Sequence, residues 1–115
     1  MPFNAGDLVS VDFPGFLGVT GIKRRPAVIL SSSTYHSIRP DIIVGLITSQ
    51  IKGLGITDYA LQDWATSGLR VASVFWSFIV TLPVSTNIMR IGQLSERDRE
   101  AVRRRIKLAF AALDP

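Results

Sequence analysis

The chain contains no cysteine and has a single histidine, His36, among its 115 residues. Without cysteine it can form neither disulfides nor thiolate metal sites, and one histidine cannot build a histidine-rich metal centre by itself. The composition therefore excludes disulfides, thiolate metal sites and a histidine-rich metal centre, and no metal or other cofactor is expected.

The chain also lacks an apolar run long enough to cross a membrane. Its most apolar stretch, residues 71–84, is interrupted by Ser73, Ser77, Thr81 and Pro83, and it falls short of the roughly 20 apolar residues that span a bilayer. The N-terminus lacks the basic-then-apolar layout of a secretory signal. These features predict a soluble cytoplasmic protein.

Charged residues are scarce, at 19% of the chain, whereas hydrophobic residues make up 47%. A length of 115 residues predicts one domain, residues 1–115, with one core. Lys and Arg together number 13 against 9 Asp and Glu, which gives a net charge of +4. This excess favours polyanionic partners such as nucleic acids, although many basic proteins bind none.

Short apolar or alternating segments separated by turns predict a mainly β fold. A helix is predicted after Ser95, because Ser95 can cap it, acids occupy its first turn and apolar residues recur at helical spacing. A small, strongly bent sheet or open barrel would accommodate these elements. Residues 14–21 and 31–34 are expected to be loop or turn, and residues 61–65 could also be helical. The predicted strands are residues 8–13, 26–31, 41–48, 57–61 and 71–82.

Three cations, Lys23, Arg24 and Arg25, stand directly before Pro26 and an apolar segment. Pro26 predicts where the charged loop ends and the buried strand begins. A guanidinium held at the end of a rigid strand is suited to binding phosphate. The same pattern fits a solvated basic turn that protects a strand edge, so the residues alone leave both interpretations open.

The third predicted strand ends in hydroxyl and amide side chains, at Thr48, Ser49 and Gln50. These groups could donate hydrogen bonds to the same phosphate, or they could simply form a polar strand exit. Lys52 and Arg39 could widen the basic surface. A nucleic-acid phosphodiester is the ligand that the basic triplet and this strand end suggest together.

Other residues offer weaker signals. His36 could act as a general acid or base, although a surface histidine is the more common case. Trp64 and Trp76 could stack on bases, but packing in a core or an interface is favoured. The basic run at residues 103–107 either follows a nucleic-acid backbone or forms the solvated face of the last helix, which is the more usual arrangement.

In their order along the chain, these segments resemble the MazF/PemK family of toxin-antitoxin ribonucleases. The resemblance covers nearly the whole chain, and its most specific part is the Arg-Pro strand followed by Ile-Thr-Ser-Gln. Residues 61–65 with Gly68 and Leu69, and residues 91–95, fit a chromosomal PemK-like subgroup. The other matching segments are residues 6–9, 25–31 and 47–50.

The resemblance implies a mainly β fold with a C-terminal α-helix, a small SH3-like barrel of the CcdB/PemK type, in a two-fold homodimer. It also implies metal-independent cleavage of single-stranded RNA at short sequences, with the 2′-hydroxyl attacking phosphorus to leave a cyclic phosphate. A cognate antitoxin with an acidic tail would block the groove. Arg25 and Thr48 match the active-site arginine and threonine of the family. The residues expected to contact RNA beside them are Lys23, Arg24, Ser49, Gln50 and Lys52.

One strand departs from the family pattern. Many members carry an acidic residue before a Thr-Ile/Leu pair, some with an arginine two positions earlier, whereas this chain has Ser77 and Phe75 at those positions. By elimination, His36 and Asp41 become candidates for proton transfer, together with Ser77 itself.

The alternative function is that of a catalytically degenerate PemK-like module that binds nucleic acid or antitoxin without cutting. A gyrase-poisoning relative on the same barrel is disfavoured by the Arg-Pro and Thr-Ser-Gln pair.

The predicted strand at residues 71–82 carries three aromatic residues that alternate imperfectly, Phe75, Trp76 and Phe78. A barrel of this size is not expected to enclose all three aromatic rings, and an isologous interface between two copies would bury the excess apolar surface. The sequence therefore predicts a homodimer.

Overall fold

Antiparallel strands form a curled six-stranded sheet in the computed structural model, which describes residues 3–13, 21, 23–50, 52–111 and 113. Neighbours across the sheet follow the order β4-β5-β3-β2-β1-β6. The prediction of a mainly β fold with a C-terminal helix is confirmed. The elements are β1 (Asp7–Phe13), β2 (Lys23–Ile29), α1 (Ser33–Ile38), β3 (Asp41–Thr48), β4 (Tyr59–Ala60), β5 (Val74–Pro83), β6 (Ile88–Gln93) and α2 (Glu96–Ala109).

The sheet separates two apolar clusters because side chains alternate along every strand. On one face, here called the helix face, buried side chains pack with Val102 and Ile106 of α2; they include Leu8, Val28, Ile47 and Phe75. On the other, here called the open face, the cluster contains Val9, Val11, Ala27, Val44 and Leu46, with Phe78 and Val80 packed against it.

The start of β2 differs from the prediction. The strand begins at Lys23 rather than Pro26, so the three cations belong to the strand and pair with β1. Pro26 does not end the ladder on the β1 side, where it lies opposite Ser10. On the β3 side, pairing begins only at Ala27. The missing N–H of proline is therefore tolerated at the point where β2 separates from β3.

Other predicted bounds shift, while β3 spans residues 41–48 as expected. The strand predicted at 57–61 shrinks to Tyr59–Ala60, and residues 61–65 form turns rather than a helix. Residues 33–38 form the short helix α1 instead of continuing the turn predicted at 31–34, and β6 was not predicted at all. Most of the predicted loop 14–21 lies outside the described residues.

Helix α2 begins where the sequence places it. The Ser95 hydroxyl accepts a hydrogen bond from the Asp98 backbone N–H at 3.2 Å. Val102 and Ile106 pack on the sheet as the periodicity predicts, whereas Phe110 lies just beyond the helix and is 56% exposed. No helix in the described residues is long and apolar enough to cross a membrane.

A buried carboxylate connects α2 to the strand β4. Asp98 is fully buried and accepts hydrogen bonds from the Tyr59 hydroxyl at 2.7 Å, the Gln62 N–H at 3.1 Å and the Asp63 N–H at 2.8 Å. Because a buried charge is costly without partners, these bonds fix the segment around β4 against the helix.

Replacing Asp98 with alanine is expected to destabilise the protein by roughly 3 kcal/mol or more, because three donors lose their acceptor. The measurement is the free energy of unfolding from urea titration. Glu100→Ala is the control, because Glu100 is exposed on the same helix and pairs only with Arg103 and Arg104 among the described residues. Equal losses in the two variants would contradict the role of Asp98.

Asp63 makes stability depend on pH in the acid range. The side chain of Arg97 and the Ser95 hydroxyl donate hydrogen bonds to its carboxylate and lower its pKa from 3.8 to about 2. Because the folded pKa lies below the unfolded one, this stabilisation is complete above about pH 4 and is lost as the pH falls toward 2. Asp63→Asn should therefore be less stable than wild type at pH 7, and the difference in urea midpoint should close with acidification. A difference that is independent of pH would refute this assignment.

Candidate functional site

The register between β2 and β3 places Arg25 opposite Thr48. The paired residues are Ala27 with Leu46, Val28 with Gly45 and Ile29 with Val44. When the same register is continued two residues toward the end of β3, Arg25 falls against Thr48. The β2–β3 ladder ends at Ala27 and Leu46, so Arg25 and Thr48 are not paired with each other, although each pairs with the strand on its other side. Two segments that the sequence analysis associated are thus neighbours in space.

A cleft of about 500 Å³ opens at this end of the sheet. Its wall combines two cations, a hydroxyl, an amide, a carboxylate and an indole. These groups belong to Arg25, Lys52, Thr48, Gln50, Asp58 and Trp76.

The cleft lies on the open face of the sheet. Thr48 pairs with Val74 of β5, and Ala60 of β4 also pairs with Val74. Because side chains alternate, Trp76 lies on the same face as Val74, and Asp58, which extends the β4 register, falls opposite Trp76. Polar and aromatic groups from four neighbouring strands or strand extensions therefore converge on one face.

The Arg25 guanidinium and the Thr48 hydroxyl can both donate into the cleft. Arg25 is half-buried, and no described residue accepts a hydrogen bond from its side chain. The Thr48 Oγ1 accepts the Gln50 backbone N–H at 3.1 Å, which leaves its own proton free for a ligand. A preorganised guanidinium and hydroxyl suit an oxyanion such as a phosphodiester.

Arg24 has a different role from Arg25 in the structure. Its guanidinium forms an ion pair with Asp12 at 3.0 Å and donates to the Asn87 carbonyl at 2.8 Å. It therefore braces β1 and the end of the β5–β6 turn, and it does not line the cleft. Alternation along β2 explains why adjacent arginines have such different surroundings.

Among the residues expected to contact RNA, the structure brings together Arg25, Thr48, Gln50 and Lys52. Lys23 and Ser49 are exposed and do not line the cleft, although Ser49 lies between Thr48 and Gln50 in sequence.

The structure does not place the three candidates for proton transfer in the cleft. The ring of His36 is buried, with Nε2 2.5 Å from the Ser31 hydroxyl. Asp41 lies at the opposite end of β3, about 23 Å from Thr48 for an extended strand, and the hydrogen bond from Arg39 lowers its pKa. Ser77 donates its hydroxyl to the Thr57 carbonyl. None of the three therefore lines the cleft with Arg25 and Thr48.

Asp58 is the cleft residue that sequence reasoning missed. Its Oδ2 accepts the Gly55 N–H at 2.8 Å, and its Oδ1 accepts the Ser77 N–H at 3.0 Å. Arg105 of α2 donates to the Asp58 carbonyl at 2.9 Å. The only available sequence signal was a lone acid before a predicted strand, which is too common to single out.

Trp64 and Trp76 have different environments. Trp64 packs against the cluster on the helix face, as favoured from the sequence. Trp76 is 40% exposed, lines the cleft and stacks on Phe78 with ring centroids 5.1 Å apart. Core packing is therefore wrong for Trp76, whereas the alternative of packing in an interface stays a prediction.

No group of three or more His, Asp or Glu side chains in the described part of the chain could hold a metal ion. The donors of the cleft, which are mainly cations, amides and hydroxyls, suit an anion rather than a metal.

Solved structures share this fold. The chain matches the MazE-MazF crystal structure from Deinococcus radiodurans with a TM-score of 0.77 and 22% identity over 99% of each chain. It matches the Mycobacterium tuberculosis toxin MazF-mt6 with a TM-score of 0.69 and 26% identity, over 93% of this chain and 98% of that one. It also matches an endoribonuclease in complex with its cognate antitoxin, from a mycobacterial species, with a TM-score of 0.74 and 16% identity over 100% of each chain. No curated protein sequence matches the chain.

The curled antiparallel half-barrel with a C-terminal helix is therefore that of MazF-type toxins. At the level of sequence, the family described as PemK-like, MazF-like toxin of type II toxin-antitoxin system matches residues 4–110. The chain belongs to this family, and the resemblance read from its motifs is confirmed.

Proposed function

We propose that this protein is the toxin of a type II toxin-antitoxin pair and that it cleaves single-stranded RNA without a metal ion. The observation that carries the proposal is the convergence of Arg25 and Thr48 in one open cleft, on strands whose register sets them opposite each other. Family membership supports the same activity, because MazF/PemK toxins are known as endoribonucleases.

In the proposed reaction, the 2′-oxygen attacks the adjacent phosphorus, and the bond from phosphorus to the 5′-oxygen breaks. The proton of the 2′-hydroxyl passes to solvent water, the departing 5′-oxygen takes a proton from solvent water, and a 2′,3′-cyclic phosphate remains. Arg25 offsets the negative charge that builds on the non-bridging oxygens. Thr48 donates to one of those oxygens and helps to align attack with the leaving group. The requirement for a 2′-hydroxyl restricts the chemistry to RNA.

A cognate antitoxin with an acidic tail is the proposed protein partner. Two structures similar to this one contain, by their descriptions, MazE-MazF and an endoribonuclease with its cognate antitoxin. The net charge of +4 favours an acidic segment, as do the Arg25 and Lys52 side chains, which line the cleft and have no ionic partner among the described residues. Occupation of the cleft by that segment would compete with RNA.

A catalytically degenerate binding module is the second candidate. It is favoured by the absence of His36, Asp41 and Ser77 from the cleft lining within the described residues. Such a protein would hold RNA through the same cations but would leave it intact.

Arg25→Ala is expected to lower the cleavage rate by about 100-fold to 1,000-fold, because a preorganised charge at the transition state is lost. The assay is incubation with mixed-sequence RNA in EDTA, with sequencing of the ends. Arg104→Ala is the control, because Arg104 is exposed on α2 and does not line the cleft.

Cleavage that persists in EDTA and disappears only with Arg25→Ala supports the proposed metal-independent ribonuclease activity. Intact RNA with salt-sensitive binding supports the degenerate module. Cleavage that requires a divalent metal ion would refute both.

We also propose a homodimer. Phe75 is fully buried within one chain and cannot contribute to an interface, contrary to the sequence argument. Apolar surface nevertheless remains on the open face beyond the cleft, where Phe78 and Val80 are only half-buried. Sedimentation at micromolar concentration should show a dimer, and a monomer under those conditions would refute this proposal.

A further inference from the structure

The carboxylate of Asp58 and the indole of Trp76 lie side by side at the wall of the cleft. The pairs Tyr59 with Phe75 and Ala60 with Val74 set the register of β4 against β5. Continued by one residue, that register puts Asp58 opposite Trp76, so the two residues occupy neighbouring positions on adjacent strands and on the same face. Both line the cleft that contains Arg25 and Thr48.

We propose that Asp58 and Trp76 form a nucleobase subsite that selects guanine beside the bond to be cut. This inference rests on the proposed function, because it assigns the base specificity of the same cleft. A ribonuclease that cuts at short sequences needs a group that reads a base edge, and Arg25 and Thr48 only contact phosphate in the proposed reaction.

Trp76 provides a surface on which a base can stack. Its side chain is 40% exposed, whereas the two preceding residues of the strand, Val74 and Phe75, are fully buried. Phe78 stacks beneath it with an interplanar angle of 26° and holds the indole in place. Splayed bases of single-stranded RNA stack on aromatic rings in this way.

Asp58 supplies acceptors for the edge of the stacked base. A carboxylate has about four acceptor positions, and the Gly55 and Ser77 backbone N–H groups occupy one on each oxygen. No other described group donates to either oxygen. One position per oxygen is therefore left, which matches two adjacent donors.

Guanine is the base with that donor pair. Its N1–H and N2–H₂ lie next to each other on the Watson–Crick edge, whereas adenine and cytosine offer one amino group there and uracil offers one N–H between two carbonyls. A good bidentate pair discriminates against the wrong base strongly. The carboxylate would also repel the uracil carbonyls, so uracil should be the weakest ligand.

Hydrogen bonds on both sides of Asp58 fix its backbone before a base binds. Its N–H donates to the Gly55 carbonyl at 3.1 Å, and its carbonyl accepts from Arg105 at 2.9 Å. The Arg105 guanidinium in turn lies 5.4 Å from the centroid of the Tyr59 ring. A reading group that is fixed before binding loses little entropy when the base arrives.

A carboxylate in this cleft could instead accept the 2′-hydroxyl proton. The strand order argues against that role, because β5 separates the Asp58 position from β3 and two strands separate it from β2. At about 4.8 Å between neighbouring strands, the backbone of Asp58 lies roughly 10 Å from β3, which carries Thr48, and roughly 14 Å from β2, which carries Arg25. Its direct neighbour is Trp76, which places it where a base, rather than the attacked phosphorus, would lie.

The test measures binding of fluorescein-labelled 2′-O-methyl pentanucleotides, which lack the attacking hydroxyl and cannot be cut by the proposed reaction. Each carries guanine, inosine, adenine, cytosine or uracil at one position in an otherwise constant sequence. Wild type should bind the guanine probe roughly ten-fold or more tightly than the uracil probe. Inosine, which lacks the N2 amino group, should be intermediate, and this comparison needs no substitution in the protein.

Asp58→Asn should abolish the preference for guanine, and Trp76→Leu should weaken all five probes about equally. Glu96→Gln is the matched control, because it removes one negative charge from an exposed site outside the cleft. Circular dichroism confirms that each variant is folded. Equal affinity of wild type for all five probes would overturn the subsite.

Mapping the ends of cut RNA separates this inference from the proposed function. If wild type cuts RNA and Asp58→Asn cuts the same sites at a uniformly lower rate, the ribonuclease stands and the subsite is overturned. If no RNA is cut but the guanine preference persists in binding, the subsite stands and the ribonuclease is overturned.

Discussion

The buried carboxylate of Asp98 holds together the part of the molecule on which the cleft depends. It receives hydrogen bonds from Tyr59, Gln62 and Asp63, so a strand of only two residues, β4, is secured to α2 as well as to β5. Asp58 directly precedes that strand. A two-residue ladder would fray without this anchor, and the cleft would then lose its one described carboxylate.

The opposite wall of the cleft depends on an interruption of pairing. β2 pairs with β1 from Lys23 onward but with β3 only from Ala27, and Pro26 occupies the junction. A residue without an N–H can occupy this junction because no ladder bond to β3 is required there. Arg25 is consequently held by β1 on one side and left accessible on the other. Rigid backbone and free side-chain donors are thereby combined, which is what phosphate binding requires.

Features with a local signal, or with a signal in an ordered set of motifs, could be predicted from the sequence. The β-branched run of β3, the Ser95 cap and the association of Arg25 with Thr48 all fall in these categories. Features that tertiary contacts determine could not be predicted. Helix α1 is too short to show a periodic pattern in the sequence. Pro26 resembles the start of a strand until the pairing of β2 with both of its neighbours is known. Asp58 could not be found because its importance comes from the β4–β5 register, which is a long-range property.

The alternation of side chains resolves the ambiguity of the basic triplet. Taken as sequence, Lys23, Arg24 and Arg25 are equivalent cations in a charged run. In the sheet, Arg24 is neutralised by Asp12 at 3.0 Å, whereas Arg25 has no described partner. A solvated basic turn would give neither guanidinium a fixed partner, whereas Arg24 has one. The strand thus gives Arg24 a structural ion pair and leaves the hydrogen-bonding capacity of Arg25 unused by the described residues, so the proposal of phosphate binding concerns Arg25 rather than Arg24.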